Sequence, residues 1–524
     1  MLAGLAAAAV TYLAVVPGVG PLPSDHAAVV MPRCAADVWL TIGAGERASV
    51  GTCAPPVVVP DGRGARVEGW ARLADRNPSA SLGALAAALT ARGECAGADG
   101  PYAALAAAGP DGRVAEYRAA SPTCAVQLTE SVPAAAGARV ITVRLPAHLH
   151  LGALTVTDAG APHLAGSTKR DGLVSIVDVT RLLAPVGIGA EPRPVRGGDP
   201  HDLDRLANAR QRWNGWWVAG LISCPLLLLI ALGLRRRVPP RLALAVAAYG
   251  PAGFAVGLVP WWRWGRGGAA LAVLAATLAL AGLGALAGRR LGGSPELGLA
   301  AVVVVALGFD TVSFQNQLRD GLGSYSMLAG GRFYGLGNLS FAILATAVVL
   351  LCGAAARRAG PVAWVWGLVP LTALDATAGN DFGGVIALAA ALAAGLTRRL
   401  RAVAAAAAGG LALALAVAYA DSRRDDPSHL GRLFTDGDAW PTIERKAFAA
   451  LHTVYATAWP LLVVGCGVGA WYLLRGRPEL RPTARVLAVL LVAGSLVNDS
   501  GLIVAGGGLA LATPLLVSYA GRRA

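Results

Sequence analysis

Four short polar stretches hold most of the residues able to do chemistry in the second half of this chain. GGRFYGLGN (330–338) sets Arg332, Tyr334 and Asn338 among four glycines. DATAGNDFGG (375–384) carries Asn380 and Asp381, DSRRDDPSHLGR (421–432) carries Asp426 and His429, and NDSG (498–501) carries Asn498 and Asp499. Carboxylates and an imidazole give and take protons, so Asp381, Asp426, His429 and Asp499 are the acid–base candidates. A guanidinium grips a phosphate or carboxylate with paired hydrogen bonds. Arg332 is therefore the anion-binding candidate, with Tyr334, Asn338, Asn380 and Asn498 as further ligand-binding groups. His429 lies among Asp425, Asp426 and Arg432 and reads first as a hydrogen-bonded loop residue, with acid–base work as the alternative. No spacing calls for a metal. Neither glycine cluster has the strand–turn–helix setting or the lysine of a phosphate loop, so no cofactor is expected.

Each stretch also has a structural explanation. Glycine-rich turns let antiparallel membrane helices meet closely, Asn and Asp cap helix ends, and an arginine near an interface can reach lipid headgroups. What separates the readings is whether the four stretches share one side of a membrane.

The elements that would position them are membrane spans. The chain has 524 residues, 55% hydrophobic and 15% charged. Beyond residue 215 it breaks into apolar runs near the roughly 20 residues needed to cross a bilayer. About eleven spans are expected over 215–520. Arg235, Arg236 and Arg237 follow the first, which puts that end in the cytoplasm. Arginines at 289–290, 357–358, 398–401, 475–477 and 522–523 then fall on the same side. All four polar stretches face outward in this topology. Acids and amides near membrane depth are costly and usually meet a cavity or another protein group. The net charge of +14 is largely this cytoplasmic arginine, suited to anionic lipid rather than nucleic acid. Membrane lipid is the expected partner.

Residues 34–200 read as a separate α/β domain on the outer side. Segments at 38–42, 82–90, 138–145, 154–156 and 174–177 alternate with alanine-rich helical stretches, and turns at 110–112 and 171–172 separate them. Apolar strands followed by helices favour a mainly parallel sheet. Cys34, Cys53, Cys95 and Cys124 lie here. Outside the cell they can form two disulfides by any of three pairings, of which 34–53 with 95–124 joins neighbours. Cys224, Cys352 and Cys466 lie within spans and read as packing residues. Residues 1–20 are apolar without a positive start, and read as a short anchor or as the remainder of a gene whose true start lies upstream.

CAADVWLTIGAGERA (34–48) and GLVSIVDVT (172–180) resemble a family of bacterial, actinobacterial-type envelope proteins. In these proteins an alkaline-phosphatase-like outer domain precedes a multispan region. RFYGLGN, GNDFGG and NDSG resemble the membrane signatures of the same family. The resemblance implies a phosphatase-like fold before an all-α polytopic domain. A phosphatase site needs clustered Asp and His ligands with a Ser or Thr nucleophile. Asp37, Thr41, Asp158 and His163 supply the types without the constellation, so the outer domain reads as degenerate in chemistry. Relatives place a first strand before the WLT motif, whereas only 33 residues precede Cys34 here. The membrane part then fits an enzyme acting on a lipid-linked or phosphorylated, anionic envelope precursor, a transporter or flippase, or an envelope scaffold.

The topology is open to direct test. A membrane-impermeant label applied to intact cells should reach residues 34–200 and miss 235–240. The reverse pattern would overturn both the orientation and the common outward side of the polar stretches.

Overall fold

The computed structural model describes the chain except residues 1–9, 18–25, 33, 79, 135–137, 147–150, 158–162, 188, 196–197, 235, 291–292, 314–319, 325–326, 330–334, 380, 424–439, 499 and 524. It divides into two compact units, one holding residues 1–208 and 326–333, the other 209–325 and 334–524.

The first unit is an α/β domain. Its strands are β1 (Thr11–Val16), β2 (Ala27–Val30), β3 (Val58–Asp61), β4 (Gly64–Val67), β5 (Ala96–Asp99), β6 (Arg113–Val114), β7 (Glu116–Tyr117), β8 (Val126–Thr129), β9 (Arg139–Arg144), β10 (Gly152–Val156), β11 (His163–Ala165), β12 (Leu173–Ser175) and β13 (Arg193–Val195). Eight form the main sheet in the order β12-β2-β10-β9-β1-β8-β5-β7. Every pairing there is parallel except those of β10, which runs against β2 and β9. Strands buried on both faces read as unbroken apolar runs. TYLAVV at β1 is such a run, paired with β8 on one side and β9 on the other. The apolar segment expected as an anchor therefore supplies a central strand over Thr11–Val16, because a doubly covered strand is as apolar as a short membrane segment.

The helices are α1 (Ala35–Ala44), α2 (Trp70–Arg76), α3 (Ala84–Ala91), α4 (Pro101–Ala107) and α5 (Ile176–Arg181). α1 packs on α3, α4 and α5. Gly43 lets α1 approach the α4 backbone: a Cβ there would stand 2.7 Å from Ala106 Cα. Cys34–Cys53 and Cys95–Cys124 are disulfides, with closed loops of 19 and 29 residues. Loops of that length stabilise the folded state by about 3 kcal/mol each in the chain-entropy account.

Two buried carboxylates hold the domain together differently. Asp178, in the first turn of α5, accepts hydrogen bonds from the backbone N–H groups of Ser167 (3.1 Å), Ser175 (2.8 Å) and Ala190 (2.9 Å). Burial pushes its pKa above the usual carboxylate range even against these donors. Glu116 is only 3% exposed. It accepts from Thr123 N (3.0 Å), Cys124 N (3.2 Å), Gln127 Nε2 (2.8 Å) and Arg63 Nη2 (2.8 Å). Burial alone would raise its pKa, but the donors overcome it and bring the group from 4.5 down to about 2.

The second unit is all-α. It contains most of α6 (Pro200–Gly233), then α7 (Pro240–Ala255), α8 (Gly265–Arg290), α9 (Pro295–Ser313), α10 (Asn338–Ala359), α11 (Val362–Leu374), α12 (Phe382–Leu396), α13 (Leu400–Ser422), α14 (Trp440–Tyr455), α15 (Trp459–Leu474), α16 (Arg481–Val497) and α17 (Leu502–Arg523). Nine helices among the described residues are long and apolar enough to cross a membrane. Of the eleven expected segments, two are absent from those nine. Phe382–Leu396 has 15 residues, and the last turns of α14 meet α15 at 72°. α10 and α17 are the most enclosed, each 67% buried over its apolar window, against 17% for α13. α10 packs on α7, α9, α11, α12, α16 and α17. Small residues bring helices together as expected in lipid, with Gly298 of α9 set against Gly284 and Gly288 of α8.

Glu116 provides a pH test. A carboxylate held at about 2 rather than 4.5 contributes roughly 3 kcal/mol of folding free energy at neutral pH. Its folded pKa is depressed, so the contribution is present above pH 4.5 and lost as pH falls through about 2. In denaturant titrations of the full chain, Glu116→Gln should unfold the outer domain at a clearly lower midpoint at pH 7. The gap should close as pH approaches 2. Equal midpoints at pH 7 would refute this role.

Candidate functional site

Several buried polar residues of the second unit lie where helices break, apart from a separate cluster in which Glu296 accepts from Ser518 and Arg522. α11 ends in a π-helical turn, Asp375–Gly379, ahead of α12. Asp375 is fully buried. A carboxylate at this depth needs close backbone and side-chain neighbours, and two glycines give them access. A Cβ at Gly379 would stand 2.5 Å from Asp375 Oδ1, and one at Gly384 would overlap Oδ2. The ring edge of Phe341 closes on the same point, its Cε2 being 2.8 Å from a Gly384 Cβ. π-helical turns recur at functional sites because they displace a carbonyl from the regular ladder.

The turn is tied to the start of α10. The Leu336 N–H donates to the Gly379 carbonyl at 3.0 Å. Gly335 sits against that carbonyl with φ +82°, a conformation open to glycine and strained for other residues. Asn338, 4% exposed, opens α10 and donates through Nδ2 to Ser500 Oγ. Ser500 belongs to the break between α16 and α17. Asn498, two residues earlier, is buried and ends α16. Its Oδ1 lies 2.5 Å from where a Gly383 Cβ would be, in the first turn of α12. Its Nδ2 is buried without a hydrogen-bond partner among the described residues. Asp381, 4% exposed, is the N-cap residue of α12 and makes no side-chain cap hydrogen bond. The links close on themselves: 336 to 379, 375 to 384, 383 to 498, 500 to 338.

Of the residues singled out by sequence, Asn338, Asp381 and Asn498 lie at these linked breaks: Asn338 bonds Ser500, and Asn498 faces Gly383, two residues past Asp381. Arg332, Tyr334, Asn380, Asp426, His429 and Asp499 lie outside the described residues. Sequence reasoning passed over Asp375. Its signal was an acid ending an apolar run with glycines four and nine positions later, and only the fold reveals that both glycines meet one carboxylate. Ser500 was likewise missed. Asp421, at the C-terminal end of α13, is also buried.

The soluble unit offers no comparable site among its described residues. Thr41 is fully buried, and its hydroxyl bonds both the carbonyl and the N–H of Ala48 at 3.2 Å. Asp37 accepts from Val50 N at 2.6 Å. These two phosphatase-type candidates clamp α1 to the following loop. Asp158 lies outside the described residues. No group of three or more His, Cys, Asp or Glu among the described residues is placed to hold a metal. An open cleft beside β3 and β4 carries Asp61, Arg63, Asp111 and Arg113. Arg63 is engaged by Glu116, and Arg113 lies 3.8 Å from Asp111.

Fold, disulfides and arginine pattern together define a multi-pass membrane protein with an extracytoplasmic α/β domain. No protein-family model, curated protein or solved structure matches the chain.

Close packing around Asp375 yields a stability test. Gly384→Ala should destabilise the detergent-solubilised protein by about 1–3 kcal/mol, the usual cost of overpacking. Gly409, in α13, has nothing within 4 Å of a built Cβ. Gly409→Ala should be neutral, or stabilising by up to about 1 kcal/mol. Thermal unfolding of the two variants side by side decides it, and equal behaviour would refute the cradle.

Proposed function

We propose that the membrane domain is an outward-facing enzyme acting on a lipid-linked or phosphorylated envelope precursor. The observation that carries this reading is the buried Asn498 amide beside the first turn of α12. Its Nδ2 has no hydrogen-bond partner among the described residues, and its Oδ1 faces Gly383, two positions along the chain from the N-cap carboxylate Asp381. A buried amide donor suits an oxygen of a substrate, because leaving it unmet costs about 1–3 kcal/mol. Asp381 then serves as the acid–base group toward a hydroxyl or water, and Asp375 shapes the field from its glycine cradle. Asn338 and Ser500 hold the α16–α17 break in place. Arg332 and Tyr334, with Asn380 and Asp499 in the neighbouring stretches, are proposed to hold the anionic part of the substrate. Asp426 and His429 are further acid–base candidates from the outer loop.

A second reading is transport. The broken path from α11 through the π turn to α12 favours it, since interrupted helices build substrate sites in many transporters. The outer domain is proposed to be alkaline-phosphatase-like in fold and degenerate in chemistry. Its largely parallel sheet and the internal use of Thr41 support that view. Its role would be recognition of the same envelope substrate.

Purified full-length protein in vesicles, given lipid-linked phosphate substrates, separates the readings. Chemical turnover without any gradient is expected. Asp381→Asn should lower it by about 10²–10⁴-fold, the usual contribution of acid–base catalysis. Arg332→Lys should cost about 1–3 kcal/mol of binding or turnover through loss of the planar fork. Vectorial movement of unmodified lipid would establish the transporter. Full activity in Asp381→Asn, Arg332→Lys and Asp499→Asn together would leave the breaks as packing turns.

A further inference from the structure

α14 has two faces that require different neighbours. On one, Thr453 is buried; its hydroxyl donates to the Ala450 carbonyl at 2.7 Å and accepts from the Leu502 N–H at 3.1 Å. A Cβ at Gly501 would stand 2.6 Å from Thr453 Oγ1 and 2.7 Å from the Ala450 carbonyl. This face is seated on the break that carries Asn498 and Ser500. At 100° per residue, Phe448, Leu451 and Tyr455 cluster on the opposite side of the helix from Thr453. They are 64%, 57% and 61% exposed.

Nothing in the chain's described residues covers that apolar stripe, and two observations identify what does. Ala447–Tyr455 and Trp459–Leu474 together are long and apolar enough to form one span, bent by 72°. Past the bend, α15 carries an exposed apolar face of its own, with Leu461, Val464 and Val468 66%, 64% and 60% exposed, as a lipid-facing helix requires. Glu444 is exposed one turn before Phe448 on the same stripe, which marks the watery end of the segment.

We propose that residues 447–455 are embedded in the outer leaflet with Phe448, Leu451 and Tyr455 against lipid acyl chains. α14 is then the wall between the polar cluster and the bilayer. One helix diameter, about 10 Å, separates acyl chains from the Asn498–Leu502 break. This placement holds whether or not the cluster is catalytic.

Nitroxide labels at Glu444, Phe448, Leu451 and Tyr455 test it in full-length protein reconstituted in phosphatidylethanolamine–phosphatidylglycerol vesicles. Each is introduced as a cysteine with Cys224, Cys352 and Cys466 replaced by alanine and both disulfides retained. Asp61, exposed in the outer domain, is the water reference. Labels at 448, 451 and 455 should be several-fold more accessible to oxygen than to a polar nickel complex, with depth increasing toward 455. The label at 444 should behave like that at 61. Water-like access at all three apolar positions would overturn the proposal, as would exclusion of both reagents, which means a protein partner. If the cysteine replacements prevent folding, benzoylphenylalanine at Leu451 in the otherwise native chain gives the same decision. Lipid adducts on irradiation support the proposal, and adducts to protein alone overturn it.

Discussion

A carboxylate buried inside a membrane domain needs room at both of its oxygens, and the arrangement around Asp375 is built on that constraint. Its oxygens lie where Cβ atoms at Gly379 and Gly384 would stand, so the fold calls for glycine at both positions. Reaching that geometry breaks the helix. α11 passes into a π turn, α12 starts afresh at Asp381, and the carbonyl freed at Gly379 is taken up by Leu336 ahead of α10. Irregular backbone at membrane depth is tolerated only where other protein groups satisfy it. One break therefore recruits others, and the 498–501 turn completes the circuit through Asn338 and Gly383.

The outer domain handles its buried acids by supplying donors. Glu116 collects backbone and side-chain donors around the Cys95–Cys124 disulfide and stays ionised far below its usual range. Asp178 is pushed the other way, because burial outweighs the three N–H groups that face it. Both serve the fold. Thr41 and Asp37 do too, so the residue types that suggested a hydrolase are used up in clamping a helix to its loop.

The membrane cluster differs in keeping capacity in reserve. Asn498 presents a buried amide donor that the described protein groups leave unmet, at the first turn of a helix whose N-cap is an acid. α14, seated on the same break by Thr453, brings an apolar face to that region.

Much of the architecture was legible in the residues. Apolar runs of membrane length and arginines recurring at alternate ends determined a polytopic domain and its orientation, because hydrophobic thickness and charge bias act locally along the chain. The four cysteines and alternating segments indicated an oxidised α/β domain. Local pattern misled at Thr11–Val16, where a strand covered on both faces looks like an anchor. It also could not choose among three disulfide pairings, which depend on which strands lie side by side. Asp381, Asn338 and Asn498 were visible as polar residues in turns, but the linking of those turns was not. The spacing of Gly379 and Gly384 from Asp375 acquires meaning only once a π turn folds both onto one carboxylate. That Asn498 rests on Gly383 across more than a hundred residues is a fact of helix packing. Sequence determined which groups were costly to bury, and the tertiary structure decided which of them were buried together.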